Sequence, residues 1–286
     1  MQTVAHMRSA VVSALRARYT QGLLRVLAIA CLASLSHAAQ QSSEDARWGD
    51  IRQALLGERA ISDGAALLAL DTPVRALDAA VVPVEITTRF EQTAQRYIHK
   101  LYLVIDQNPS PVAAVFEFPG DRDWTRISTR VRVNAYTDVR AVAELNDGST
   151  FMVKNFVKAS GGCSAPALKD PAAAAAQLGR MKLLLPEDAA ADDLFLTRLM
   201  IRHPNSSGMQ FDQVTRHFIP ADYVRNIEVR YNDQLLYKVA TDISISENPM
   251  IAFGLRNDPG KGELDVRVLD TEGRQFEKRF PLTSTQ

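Results

Sequence analysis

From about Leu67 the hydrophobic pattern loses helical spacing, and by Val82 a period of two has replaced it, the mark of half-buried β-strands. Val82–Ile86 reads as a strand, with Pro83 suited to an edge. Leu101, Leu103 and Ile105 alternate with Tyr102 and Val104, and Val112, Ala114, Phe116 and Phe118 alternate again after the turn Asn108–Pro109–Ser110–Pro111. The run Ile127–Val133 carries polar residues on one face. Val139, Ala141, Ala143 and Leu145 lead into Asn146–Asp147–Gly148, a hairpin turn, and Phe151 and Val153 begin the return strand. Upstream the period is helical: Ser42–Ser43–Glu44–Asp45 supplies a cap and first-turn acids, Trp48, Ile51, Leu55 and Leu56 share a face, and Gly57 is a stop.

A second strand-rich block follows. Leu196–Ile201 is one strand, stopped at His203–Pro204; Ile227–Tyr231 and Leu235–Val239 flank Asn232–Asp233–Gln234, and Leu264–Val268 and Gln275–Phe280 flank Asp270–Thr271–Glu272–Gly273. Short strands at this spacing, in blocks near the size of one small sandwich, predict a mainly β chain: antiparallel β-sandwiches over residues 44–168 and 194–286, a short N-terminal helix and a linker over 169–193. The linker holds an Ala-rich tract from Pro171 to Ala176 and an acidic, small-residue stretch between Pro186 and Asp193; Ala172 to Leu184 also suits a helix.

Composition changes the picture at the N-terminus. Arg8, Arg16, Arg18 and Arg25 precede the apolar run Val26–Leu35, no acid occurs before Glu44, and Ser36–His37–Ala38 places small residues at −3 and −1. This predicts a secretory signal peptide over residues 1–38, hence export to the periplasm and no membrane attachment after cleavage. A rival reading makes Cys31 a lipidated first residue, though Ala28–Ile29–Ala30 before it fits such a site poorly. Cleavage removes four arginines and none of the 33 acids, leaving a mildly acidic protein with no electrostatic signature for nucleic acid. It also removes Cys31, one of two cysteines, so Cys163 is left alone in a compartment where cysteines normally pair.

The surroundings of that thiol suggest chemistry. Gly161 and Gly162 precede Cys163 and Ser164–Ala165–Pro166 follow, a segment with little to bury, so the sequence predicts a mobile, exposed arm with Gly161 and Gly162 as its hinge. Lys154, Lys158 and Lys169 are candidates to lower the thiol pKa if they lie near it. An enzyme holds its nucleophile rigidly, whereas a carrier must offer its thiol to other proteins, and a Gly-Gly-Cys arm suits the second task. The blander reading is an accidental loop cysteine.

Several stretches carry a family resemblance: Asn108–Ala113, Ile127–Arg132, Val139–Ser149 and Gly161–Gly162–Cys163 resemble SoxY, the cysteine-bearing subunit of the periplasmic thiosulfate-oxidation carrier. Ile201–Pro204, Phe218–Tyr223 and Ser246–Phe253 resemble its partner SoxZ. The chain is thus similar to a SoxY–SoxZ fusion of the kind known as companions of quinoprotein dehydrogenases. The resemblance implies two paired immunoglobulin-like sandwiches and a non-enzymatic role in which Cys163 carries sulfur intermediates covalently. It implies as partners sulfur-oxidation enzymes or c-type cytochromes, with a quinoprotein dehydrogenase as a further candidate. SoxY normally ends Gly-Gly-Cys-Gly-Gly; here Ser164–Ala165–Pro166 replaces the trailing glycines and the chain continues, so the arm is tethered at both ends.

Other signals point away from an enzyme. His99, His203 and His217 form no short metal-ligand pair, no glycine-rich phosphate loop occurs, and His203 beside Pro204 reads as structural. No cofactor is expected. The alternatives are an assembly module for a quinoprotein dehydrogenase in which the thiol is incidental, and a thiol-dependent enzyme.

Overall fold

The computed structural model describes residues 46–120, 124–166, 175–185, 194–256 and 262–282. The expected signal segment, Lys169, the first part of the Ala-rich tract and the acidic stretch before Asp193 lie outside the described residues. Residues 46–56 form the expected helix, and Gly57, at φ 60°, ends it.

The first half of the chain supplies β1 (Ile61–Asp63), β2 (Leu68–Asp71), β3 (Val82–Thr88), β4 (Ile98–Ile105), β5 (Val112–Glu117), β6 (Trp124–Val131), β7 (Thr137–Leu145) and β8 (Thr150–Val157). The second half supplies β9 (Met181–Leu184), β10 (Leu194–Ile201), β11 (Phe211–Asp212), β12 (His217–Phe218), β13 (Val224–Tyr231), β14 (Gln234–Thr241), β15 (Met250–Arg256), β16 (Gly262–Asp270) and β17 (Gln275–Leu282). Period two places side chains as expected: Val82, Val84, Ile86 and Thr88 of β3 are buried while the residues between them are not. The hairpin signals hold as well. Asn232 (φ 47°) and Asp233 (φ 65°) both take the left-handed conformation that a two-residue turn between β13 and β14 requires. Gly148 (φ 84°) turns β7 into β8.

The fold is a mainly β, immunoglobulin-like sandwich, and its halves do not stay separate. One sheet has the order β1-β8-β7-β4-β5-β14-β13-β16-β17, and the sheet facing it β2-β3-β6-β15-β10-β9. Each half thus contributes to both layers, and the layers cross between halves at β5–β14 and β6–β15, both antiparallel. Pairing there removes four sheet edges that would otherwise expose unpaired backbone groups. Beneath the crossing one apolar core runs through both halves. Phe118 stacks on Trp124 at 4.7 Å and lies 6.3 Å from Phe253, which packs on Tyr237 at 4.7 Å. Each such pair is worth about 0.5–1.5 kcal/mol beyond the area it buries.

One part of the stretch expected as linker, Met181–Leu184, is strand. It pairs antiparallel with β10 and extends the smaller sheet at its far end. Four residues are too few for a period of two to declare itself against the Ala-rich tract before them.

Candidate functional site

The site is a turn at the end of β8. Lys158 bridges to Arg75, Gly161 takes φ 79°, and Gly162–Ser164 then form one turn of 3-10 helix. The expected exposed arm is corrected here: Cys163 is buried, with 0% of its surface accessible, while Gly161 and Ser164 on either side are exposed. The glycines act in two different ways. Gly161 has open space around it and is needed for its backbone angle. Gly162 is held in place, because a Cβ there would lie 2.0 Å from the carbonyl oxygen of Ala79 and 2.8 Å from that of Val133. The absence of side chains, read from sequence as freedom, instead lets three backbone segments close on one another.

Hydrogen bonds fix that approach. Gly161 N–H donates to Asn134 O (2.9 Å), Gly162 N–H to Val133 O (3.0 Å), and Val133 N–H to Ala79 O (2.8 Å). The second half completes the enclosure: Ser207 Oγ donates to the carbonyl of Cys163 itself. Ser207 lies in a segment, residues 203–210, whose polar side chains Asn205, Ser206, Ser207 and Gln210 are all buried. Its backbone N–H donates to Gln210 Oε1 (3.2 Å), and its Oγ accepts from Met209 N–H (3.2 Å). Ser246 Oγ donates to Ala80 O (2.7 Å), tying the same loop of the first half to the second. The cysteine therefore sits where the two halves meet, in a polar patch of seam beyond the apolar core.

Burial pushes the Cys163 thiol pKa up, and the positive charge of Arg132 partly offsets it. Arg132 is itself buried. Its Nη1 donates to the carbonyls of Ile243 (3.0 Å) and Ile245, and its backbone N–H donates to Ser244 O (2.7 Å). Burial lowers the guanidinium's pKa from its usual high value, and Cys163, when ionised, and Glu247 oppose this. Asn108, fully buried, locks the group by donating from Nδ2 to Arg132 O (2.7 Å) and Ser244 Oγ (2.9 Å) and accepting from Asn134 N–H (2.8 Å). The thiol is thus shielded from solvent, with burial favouring its protonated form and the neighbouring guanidinium favouring the thiolate.

The two described lysines proposed from sequence do not fill that role. Lys154 Nζ pairs with Asp138 at 2.7 Å, Lys158 is exposed, and Lys169 lies outside the described residues. Arg132 was missed because strand alternation assigns it to the polar face of Ile127–Val133. What buries it is a loop more than a hundred residues later in the chain, a contact with no local signal.

His203 takes the structural role expected of it. Its Nδ1 accepts from Asn205 N–H (3.0 Å), so Nε2 bears the proton of the neutral ring and faces Asp270 (3.4 Å) and Asp222 (3.7 Å). Burial keeps the ring pKa below its ordinary value despite those two acids. The three side chains have the spacing of a metal site, but the Arg274 guanidinium already binds Asp270 and Asp222 from Nε and Nη2, both at 2.5 Å.

Two family models match the chain in tandem. The one described as sulfur oxidation protein SoxY covers residues 52–163, and the one described as sulphur oxidation protein SoxZ covers residues 181–281. The chain is a SoxY–SoxZ fusion. The SoxY match ends on Cys163, and the SoxZ match begins at the first residue of β9, so the sheet crossing described above is the pairing of a SoxY domain with a SoxZ domain inside one chain. At this coarse level the fusion is a sulfur oxidation protein. No match is found among the curated proteins. Among solved structures the fusion is similar to the sulfur carrier protein SoxY from Chlorobium limicola f thiosulfatophilum, with 19% identity and a TM-score of 0.35 over 42% of this chain and 98% of that one. It is also similar to a superoxide reductase (neelaredoxin) from Ignicoccus hospitalis (11% identity, TM-score 0.29, 32% of this chain and 79% of that one). A putative superoxide reductase from Thermotoga maritima is a further likeness (14% identity, TM-score 0.30, 36% and 95%).

Proposed function

We propose that this fusion is an exported, periplasmic carrier that holds sulfur-containing intermediates covalently on Cys163 and presents them to partner enzymes. The observation that carries the reading is the enclosure of the thiol at a seam between the two domains, beside a buried cation, in a turn closed by hydrogen bonds. A structural cysteine gains nothing from a buried guanidinium and a polar cover, and both would disfavour burying an inert group. In the open state the Cys163 thiolate either displaces a leaving group from an activated sulfur or joins a sulfur anion with loss of two electrons to a redox partner, a c-type cytochrome or similar. Because SoxY-like and SoxZ-like domains share a chain, their docking does not depend on protein concentration. Export is supported by the basic, apolar and small-residue pattern of residues 1–38. A quinoprotein dehydrogenase is a candidate partner on the strength of the family resemblance.

Intact-mass spectrometry of the protein isolated without reductant tests this. Adducts on Cys163 that a reductant removes are the expected result. A plain thiol throughout, with function retained in Cys163→Ser, would sink the reading and favour an assembly module for a quinoprotein dehydrogenase.

A further inference from the structure

His203 is structural in the resting fold, yet it is a titratable ring at the root of the segment that covers Cys163. Its two ring nitrogens do different work. Nδ1 accepts from the backbone N–H of Asn205 (3.0 Å), two residues on, while Nε2 faces Asp270 (3.4 Å) and Asp222 (3.7 Å). Asn205 is fully buried, and its φ of 44° lies in the left-handed region, so its backbone sets the direction in which the chain enters Ser206 and Ser207. Its side chain ties the same point to the seam. Oδ1 accepts from Val224 N–H (3.0 Å), and Nδ2 donates to Ile245 O (3.4 Å), a carbonyl that also accepts from Arg132. Ser207 then donates to the carbonyl of Cys163. One imidazole lone pair thus stands behind two contacts of the thiol's enclosure, the serine cover and the carbonyl that holds the neighbouring guanidinium.

An imidazole that gains a proton carries one on each nitrogen and has no acceptor left. A proton taken from water by Nδ1 would point at the Asn205 N–H, and two donors cannot share that contact. The ring has no room to turn away, because its side chain is wholly enclosed and Nε2 is engaged by the acids. The charged groups that face the ring come from three places: Asp222 just before β13, Asp270 at the end of β16 and Arg274 just before β17. Burial opposes the proton most strongly; the two acids favour it, and Arg274, paired to both of them, opposes it. The pocket therefore carries a net negative charge beside a ring kept neutral by enclosure and by the Asn205 N–H on its lone pair.

We propose that His203 is a proton-operated latch on the carrier thiol: the neutral ring holds residues 205–207 over Cys163, and a proton on Nδ1 displaces the Asn205 N–H, loosens that segment and uncovers the thiol. The proposal rests on the carrier reading for its use and adds what controls access to the site. Opening ends the burial that disfavours the charged ring, so His203 binds its proton more tightly in the open state than in the closed one. Acid then shifts the balance toward the open state, and neutral pH restores the closed one. The apolar core beneath the sheet crossing takes no part.

The test is the protection of Cys163, the ratio of its iodoacetamide alkylation rate in denaturant to that in the native full chain, followed by intact mass between about pH 7 and pH 5. Over this range the thiol is overwhelmingly protonated in both states, so the falling thiolate fraction cancels in the ratio and the opening equilibrium remains. In the wild type protection should fall several-fold with acid, and by no more than about tenfold per pH unit because one proton is involved. His203→Asn should keep the neutral-pH protection throughout, since its Oδ1 can accept from the N–H two residues on and has no proton to gain. His99→Gln/His217→Gln should respond as the wild type does. Amide exchange supplies a reading that needs no variant: protection of the Asn205 N–H should fall in parallel with that of the thiol, while β7, paired on both sides, keeps its own. Thiol protection that ignores pH in the wild type, or that falls equally in His203→Asn, overturns the latch; the carrier reading then still stands if Cys163 takes adducts that a reductant removes. If protection responds as expected and no adduct ever forms, the latch holds and the carrier reading falls.

Discussion

Two stretches of the seam join the same two domains by different physics. Where the sheets cross, the contact is backbone pairing over an aromatic core, with Phe118, Trp124, Tyr237 and Phe253 buried together. At the cysteine turn it is a set of single hydrogen bonds from two serines and an arginine to backbone carbonyls: Ser207 to Cys163, Ser246 to Ala80, and Arg132 to Ile243 and Ile245. An apolar core opens only at a cost that scales with the area it exposes to water. A polar contact exchanges for water at a net cost near 1 kcal/mol per hydrogen bond. One stretch therefore keeps the domains docked while the other can open locally, and a carrier needs both.

Mutations at the two stretches should separate these roles. Phe253→Ala removes the ring that joins the two aromatic pairs of the core. It should cost about 3–5 kcal/mol of global stability by denaturant titration. Gly162→Ala forces a Cβ onto the Ala79 carbonyl and should cost about 1–3 kcal/mol, felt locally as faster alkylation of Cys163 well before global stability is lost. Gly161→Ala meets no clash and only the penalty of its left-handed angle, about 1–2 kcal/mol, so its effect on alkylation should be smaller. The two glycines, equivalent as hinge residues in sequence, are thus separable by a single methyl group.

The smallest of these effects is a pH dependence. Burial raises the folded thiol's pKa, so the closed turn holds its proton more tightly than the unfolded chain does. That contribution to stability is complete below the unfolded thiol's ordinary pKa and is lost as pH climbs through the raised folded value. The alkylation rate of the native protein should rise at a higher pH than that of the same chain in denaturant. Coincident profiles would place the thiol in water.

Alternation and turn chemistry made the strands legible. β3 and the hairpins at Gly148 and Asn232–Asp233 follow from local residues, because the burial of β3 repeats every second position and the turns need left-handed angles. The sheet crossing was hidden, since nothing in β5 or β14 alone says that Val115 will face Ala240. The candidate site was half legible. A lone cysteine after two glycines marks the place, but its burial depends on Ala79, Ser207 and Arg132, each brought in from a distant part of the chain. Small residues permit exposure and close packing equally, and only the tertiary partners decide which occurs.

The central claim is that the thiol is closed at rest and opens without separation of the domains. The rate of Cys163 alkylation in the folded protein, measured against low concentrations of urea, tests it directly. Local opening exposes little surface, so the rate should be nearly independent of urea below the unfolding transition and far above the rate of global unfolding. A rate that rises with urea along the slope of global unfolding from the first addition would mean that the thiol is freed only when the whole sandwich comes apart, and would contradict the account.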